Sequence, residues 1–424
     1  MKAKIFQMTT RCGRPFVHGI LLCLGLVVST TQASAKPTPL SFHSDLNYLV
    51  SALETYHPNP WQSRKRQGFR QDLTYNPEIL NTYPVGPMLN ISRSLKKLDN
   101  KQQDAVTGLN LFEQQVAWKM LPIEFVIING QLYIASENSD FTNFKHKRVT
   151  EIGGVTPSQL IRTLTRYFPG RDRGWFANYL RVTDILHYFG SRCRKQCSIK
   201  LAGGEQIELL HDSYLSVEQA QPAKTFLIDR FITTKTIEER ILRENNNSLR
   251  WILYGNGLTS SVLFDEMAAN IRGMIRDRGV QNLILDLRGI QKTDPILERR
   301  FLDIAKEFLK QNVHRKLYAF IDNSTGPVLF SMLHTLDNMS EVSFVGESTD
   351  LALATYHDPQ MIELPNSKIS IGIARRYERL LGVNRPEQRF LPDEEVVWSA
   401  ADYFAGRDSL LDATMVLIEL AEVD

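Results

Sequence analysis

Three side chains between residues 324 and 334 are of the types that acyl transfer uses. Ser331 and His334 stand three apart in a stretch that predicts a helix, so they share a face, and Ser324 precedes the turn before it. A serine attacks a carbonyl only when a base within hydrogen-bond reach takes its proton, and a histidine is the commonest such base. The plainer reading of the same pair is a helix hydroxyl and a histidine packed in or near a core. His57 belongs to the turn His57-Pro58-Asn59-Pro60, where a structural role suits it better than a chemical one. Asp286 and Arg288 end a strand-like run and read as a structural ion pair rather than as catalysts.

Cys193 and Cys197 are the two cysteines that lie beyond the first 35 residues. In an oxidising compartment such a pair closes a small local loop as a disulfide. A metal site would need further ligands at compatible spacing, and His187 and His211 lie nearby without a recognisable pattern. Neither a metal nor a cofactor is expected, and no glycine-rich nucleotide-binding motif is present.

The compartment is suggested by the beginning of the chain. Lys2, Lys4, Arg11 and Arg14 form a basic stretch, Ile20 to Val28 is apolar, and Ala33-Ser34-Ala35 supplies small residues before Lys36, the pattern of a cleaved secretory signal. The apolar run is far shorter than the roughly 20 residues a membrane-spanning helix requires, so no span is expected after cleavage. The whole chain has 50 basic and 47 acidic side chains, and loss of the segment removes four basic ones, taking the net charge from +3 to −1. Nucleic acid and acidic membrane surfaces are poor partners for such a chain. A periplasmic or secreted protein is expected.

With 424 residues, 43% of them hydrophobic and 23% charged, the chain can fold as two or three globular domains. Residues 36–115 read as helical. Asp45 to Leu53 carries near-helical apolar spacing after a capping candidate at Ser44, the run stops at His57, and a second helix is predicted over Pro87 to Leu98. Residues 116–223 form a small β-rich module. Asn129-Gly130 marks a hairpin between Phe125 to Ile128 and Leu132 to Ile134, Gly153-Gly154 another turn, Leu160 to Tyr167 a helix, and Gly203-Gly204 the turn between Ser198 to Leu201 and Gln206 to Leu210. Residues 224–424 alternate strands (Trp251 to Tyr254, Leu283 to Leu287, Leu317 to Ile321) with helices (Asp265 to Arg278, Leu297 to Leu309). This is the pattern of parallel strands joined by crossover helices. Lys224 to Asn246 reads as a partly exposed connector.

The order of motifs resembles the tail-specific, or C-terminal processing, serine protease family and its tricorn-core relatives. The resemblance rests on DLNYLVSALETYHPNPW at 45–61, LPIEF at 121–125, VTEIGGVTP at 149–157, NLILDLRG at 282–289, VGEST at 345–349, ELPNS at 363–367, LPDEEV at 391–396 and DYFAGRDSLLDAT at 402–414. It implies an α/β fold with a crotonase/ClpP-like core of ββα units. It also implies a site made of a serine at a helix start, a histidine or lysine base, and backbone N–H donors for the oxyanion.

Here the position of the nucleophile, two residues after Thr325, is Pro327, and the base position in DAVTGL at 104–109 is Val106. The lysine base of other members would fall between Lys316 and Lys368, where there is no lysine. The oxyanion region maps to Gly289, Ile290, Gly326 and Val328, but the asparagine and glycine pair expected after Gly289 is replaced by Ile290, Gln291, Lys292 and Thr293. Glu347 matches an acidic position that supports the catalytic group in some members, and is equally a solvated loop carboxylate. The reading is a non-catalytic member that binds a peptide or protein partner of the cell envelope. The alternative is an active serine peptidase with a rearranged site drawn from Ser324, Ser331, His334 and Glu347.

Overall fold

Strands buried on both faces need continuous apolar runs, and Asn282–Asp286 and Lys316–Ile321 supply them at Leu283 to Leu285 and at Leu317 to Ile321. They form the middle of a six-stranded sheet in the order Glu394–Glu395, Val342–Gly346, Lys316–Ile321, Asn282–Asp286, Ser248–Leu253, Ile237–Arg243. All neighbours are parallel except the last pair. The computed structural model describes residues 36–73, 77–98, 104, 106–114, 116–136, 139–168, 173–220, 237–243, 248–253, 261–277, 279–290, 294–379 and 388–421, all in one compact unit. The expected leader at 1–35, residues 224–236 and 244–246 of the expected connector, and Gln291, Lys292 and Thr293 lie outside them.

Successive side chains of the sheet serve two cores, as the period of a strand dictates. Leu283, Leu285, Leu317, Ala319 and Phe344 pack against the crossover helices Ser261–Asp277, Pro295–Lys310 and Phe330–Asp337. Ile284, Tyr318, Phe320 and Val345 face the other way, onto Trp398 and the last helices, Ala400–Ala405 and Ser409–Ala421. The parallel strand and helix alternation is therefore present. The expected connector is corrected at its end, because Ile237–Arg243 is the antiparallel edge strand of this sheet.

The middle module contains the expected hairpin, Phe125–Ile128 with Gln131–Ile134. Its turn residues Asn129 and Gly130 have φ of 49° and 71°, the left-handed pair that such a tight turn requires. A three-stranded antiparallel sheet follows, Val149–Ile152, Gln196–Leu201 and Gln206–Leu210. The expected helix begins earlier than its apolar spacing shows, at Pro157, because Thr156 and Gln159 form a reciprocal capping box. Val126 and Ile128 of the hairpin pack on Ile284 and Phe320, so the module is seated on the central sheet.

The first helix runs Pro39–Tyr56, not from Ser44. Thr38 is its cap, accepting from the Ser41 N–H at 3.2 Å, with Pro39 in the first turn. Helix Val85–Lys96 lies close to its expected place. The motif ELPNS proves to be the bend of a long hairpin, Ala354–Glu363 with Ser370–Arg379. Its residues Ile362, Leu364, Ile369, Ile371 and Ile373 join the core of the N-terminal helices and middle module. Asp45, fully buried, holds the bend: its carboxylate accepts from the N–H groups of Asn366 (2.8 Å) and Ser367 (2.7 Å) and from the Asn366 amide (2.9 Å).

Candidate active-site region

Strand Lys316–Ile321 is succeeded by a tight loop and a helix start. The loop is shaped by Asp322, whose backbone N–H donates to Thr325 Oγ1 at 3.0 Å while its carbonyl accepts from the Thr325 N–H at 3.0 Å. Its carboxylate accepts from the Ser324 N–H at 2.9 Å and from the Ser324 hydroxyl. Ser324 Oγ in turn accepts from the Gly289 N–H at 2.8 Å, which joins the ends of two neighbouring strands. Ser324, Thr325 and Asp322 are all buried.

Gly326 then precedes a single 3-10 turn, Pro327–Leu329, which continues as the helix Phe330–Asp337. Pro327 occupies the first position of this turn, where its fixed φ fits and its missing N–H is not needed. A Cβ at Gly326 would stand 3.0 Å from the Ile290 carbonyl oxygen, so the loop lies tightly over residues 289–290. Val328 is 38% exposed beside it. Gly289 (φ 72°), Ile290, Gly326, Pro327 and Ser324 are thus gathered at one end of adjacent parallel strands, where an α/β sheet carries its site.

Beneath this loop lies a charge cluster. Arg288 lays its guanidinium along two carboxylates, donating to Asp286 at 2.8 and 2.6 Å and to Asp408 at 3.1 and 2.8 Å. Arg250 bridges the same two acids, reaching Asp408 at 2.7 Å. Burial alone would raise the Asp286 and Asp408 carboxyls, but the two guanidiniums more than reverse it and hold both below the usual range. Arg288 also lies over the rings of Phe320 and Trp398, 5.1 and 5.5 Å from their centroids. Two positive and two negative groups balance, so the Asp322 carboxyl is the surplus acid. Burial pushes it up, and Arg288 and Ser324 only partly oppose this.

The other sequence candidates fall in different surroundings. Ser331 is exposed and His334 half-buried on the helix after Pro327, and no hydrogen bond joins the two among the described residues. Glu347 follows the neighbouring strand; its N–H donates to the Ile321 carbonyl at 3.1 Å, and its carboxylate is 3.5 Å from the Asn323 amide. Cys193 and Cys197 are joined as a disulfide. No cluster of metal-ligating side chains is found among the described residues.

Val106 sits on a segment strapped across the long hairpin. Gly108 and Gly372 exchange two backbone hydrogen bonds of 3.1 and 3.0 Å, and the Ala374 N–H donates to Thr107 Oγ1. A Cβ at Gly372 would come within 2.9 Å of the Val106 carbonyl oxygen, which accounts for the glycine there.

The structure adds a pair that sequence reasoning missed. Asp104, two residues before Val106, accepts from His57 Nε2 at 3.0 Å, and both side chains are buried. The Asn59 N–H donates to His57 Nδ1 at 3.1 Å, so the ring is the neutral tautomer with its proton on Nε2. The same carboxylate accepts from the N–H groups of Val106 (3.2 Å) and Thr107 (2.8 Å). The imidazole lies against Tyr356, and Tyr356 against Tyr377, with centroids 4.6 and 4.7 Å apart. One ring nitrogen thus fixes the segment that carries Val106, through Asp104, and the other closes the turn of His57 itself. The two partners lie 47 residues apart, and the one available signal was that each sits in a motif of the same resemblance.

No family model and no curated protein matches the chain. Solved structures do. Mature CPAF aligns at 10% identity with a TM-score of 0.57, covering 91% of this chain and 98% of that one. Mature CPAF complexed with lactacystin aligns at 10% identity with a TM-score of 0.56, covering 91% and 99%. The photosystem II D1 C-terminal processing protease aligns at 10% identity with a TM-score of 0.38, covering 85% and 93%. The chain thus has the α/β fold of mature CPAF.

Proposed function

We propose that this chain is an exported peptidase-fold protein that binds an extended peptide or protein partner without cleaving it. The observation that carries the reading is the loop after strand Lys316–Ile321. The first position of its helical turn is Pro327, which has neither hydroxyl nor N–H. The nearest serine, Ser324, is buried with its hydroxyl given to Asp322 and its lone pair taken by the Gly289 N–H. A hydroxyl so engaged has no free path to a carbonyl, and the donor that could stabilise an oxyanion is already used. Val106 offers no proton acceptor, and His57 has both nitrogens committed.

Binding does not need a nucleophile, because a peptide added to a sheet edge is held by backbone hydrogen bonds. Retaining the protease-like frame while losing its chemistry is consistent with a cleft kept for recognition.

The test is labelling of the purified protein with a fluorophosphonate probe, alongside hydrolysis of a fluorogenic peptide library. Neither is expected above the blank. Labelling or turnover abolished in Ser324→Ala or Ser331→Ala would establish the active-peptidase reading instead. Export is tested by fractionating cells and sequencing the N-terminus of the mature protein, expected to begin at Lys36.

A further inference from the structure

The outer strand of the middle module, Gln206–Leu210, has an edge that meets no other strand among the described residues. Its inner neighbour Gln196–Leu201 is paired with it in the register Cys197 to Leu209 and Ile199 to Ile207. The flanking bonds, His211 N–H to the Lys195 carbonyl and Leu201 N–H to the Glu205 carbonyl, both 2.9 Å, show which residues face inward. By the alternation of an antiparallel ladder, 205, 207, 209 and 211 bond inward, and Gln206, Glu208 and Leu210 turn their N–H and C=O groups outward. Among the described residues only the Leu210 carbonyl is met, by the Ser213 hydroxyl at 2.6 Å.

Edge strands are usually blunted by proline, charged side chains or a bulge; this one has no proline and no bulge, and Glu208 is its one charge. The disulfide at Cys193–Cys197 and the left-handed glycines 203 and 204 fix both ends of the strand pair, so the edge is pre-ordered.

Charge along the edge is uneven. At the Gln206 end, Lys147 and Lys200 are paired with Glu205 and Glu151. Glu208, bonded to the Gln206 amide, makes the middle unfavourable for an acid. At the Leu210 end, Arg192, Arg194 and Lys195 are exposed and form no salt bridge with a described residue; Asp184 feels the Arg194 charge and the exposed Asp212 follows the strand, so three cations face two acids there. Leu210 itself is 64% exposed.

We propose that Gln206–Leu210 takes an extended segment of a protein partner as an added strand, with apolar residues along the edge and acidic groups at the Leu210 end. The inference rests on the peptide-binding reading above and gives it a location away from Pro327.

The test uses two fluorescein-labelled peptides, each a valine–threonine repeat, one ending in two glutamates and the other in two lysines. The acidic peptide binds at least about tenfold more tightly, and Arg194→Glu with Lys195→Glu abolishes the difference. Hydrogen exchange of the Gln206, Glu208 and Leu210 amides slows when it binds, while Ile207 and Leu209, already bonded inward, change little. Glu208→Pro removes an outward donor without breaking the sheet, so it abolishes binding at unchanged thermal midpoint, and Glu208→Ala does not. Equal binding of the two peptides, absence of binding, or binding to Glu208→Pro would overturn the proposal. Protection confined to residues 322–329 would also overturn it while leaving the peptide-binding reading standing. Cleavage of a peptide that still protects 206–210 would overturn non-catalysis but leave this edge in place.

Discussion

Asp322 differs from the two acids next to it in the sign of its effect on stability. Asp286 and Asp408 are held below their unfolded values by two guanidiniums, so their contribution is full above the ordinary carboxylate range near 4 and is lost as the pH falls through their folded values. Asp322 is raised by burial, so its contribution is full below that range and is lost as the pH rises through its folded value. Asparagine can accept the same two bonds from Ser324. Asp322→Asn is therefore expected to leave the thermal midpoint at pH 7 equal or higher, and to flatten its slope between pH 4 and pH 8, in a buffer series read by scanning fluorimetry. Asp408→Asn works the other way, leaving two buried guanidiniums with one carboxylate, and should cost about 3 kcal/mol or more in urea unfolding. At Pro327 the expectation is tolerance. Pro327→Ser should change stability by less than about 1 kcal/mol, since the first helical turn suits many residues. Combined with Val106→His it should still give no peptide hydrolysis, because the Gly289 N–H stays engaged by Ser324.

Elements differed in how openly they could be read. Strands Asn282–Asp286 and Lys316–Ile321 are plain in the sequence because Leu283 to Leu285 and Leu317 to Ile321 are unbroken buried runs of apolar and aromatic residues. The Asn129-Gly130 turn was legible because few other pairs take two left-handed residues. The long hairpin was not, since Asp358, Pro359, Arg375 and Arg376 interrupt its apolar alternation and its partners lie in distant helices. The cap at Thr38 is hidden in the sequence because the first turn after it holds the exposed Leu40, so the regular apolar spacing starts only near Ser44. At the site, the loop and Pro327 followed from local order, whereas the His57–Asp104 pair and the reach of Asp408 to Arg288 depend on contacts that no local pattern encodes. The hairpin's dependence on the first helix is testable. Asp45→Ala removes three acceptor contacts and should cost about 2 kcal/mol. Amide exchange at Asn366 and Ser367 should quicken before the central sheet is affected.

The described residues, taken together, give little sign of separable parts. The middle-module hairpin is tied to the last region by the Asn129 amide, which donates to the Trp398 carbonyl at 2.8 Å, and by Ile128 packed among Ile284, Phe320 and Trp398. His146 stacks on Phe404 at 4.1 Å between the same two regions. Far-ultraviolet and near-ultraviolet signals should consequently lose structure in one transition, and Ile128→Ala should move both together by about 2–4 kcal/mol. Two separated transitions would show that the hairpin is only a loose tether. The buried charge cluster has a further consequence, in the order of events as the chain is made. Arg250, Asp286 and Arg288 emerge early, but the second carboxylate, Asp408, stands 120 residues beyond Arg288. Until it arrives the growing sheet would have to enclose two cations around one anion, so a nascent chain that stops short of Asp408 should remain open to protease, and closure of the sheet should wait for the last stretch of synthesis.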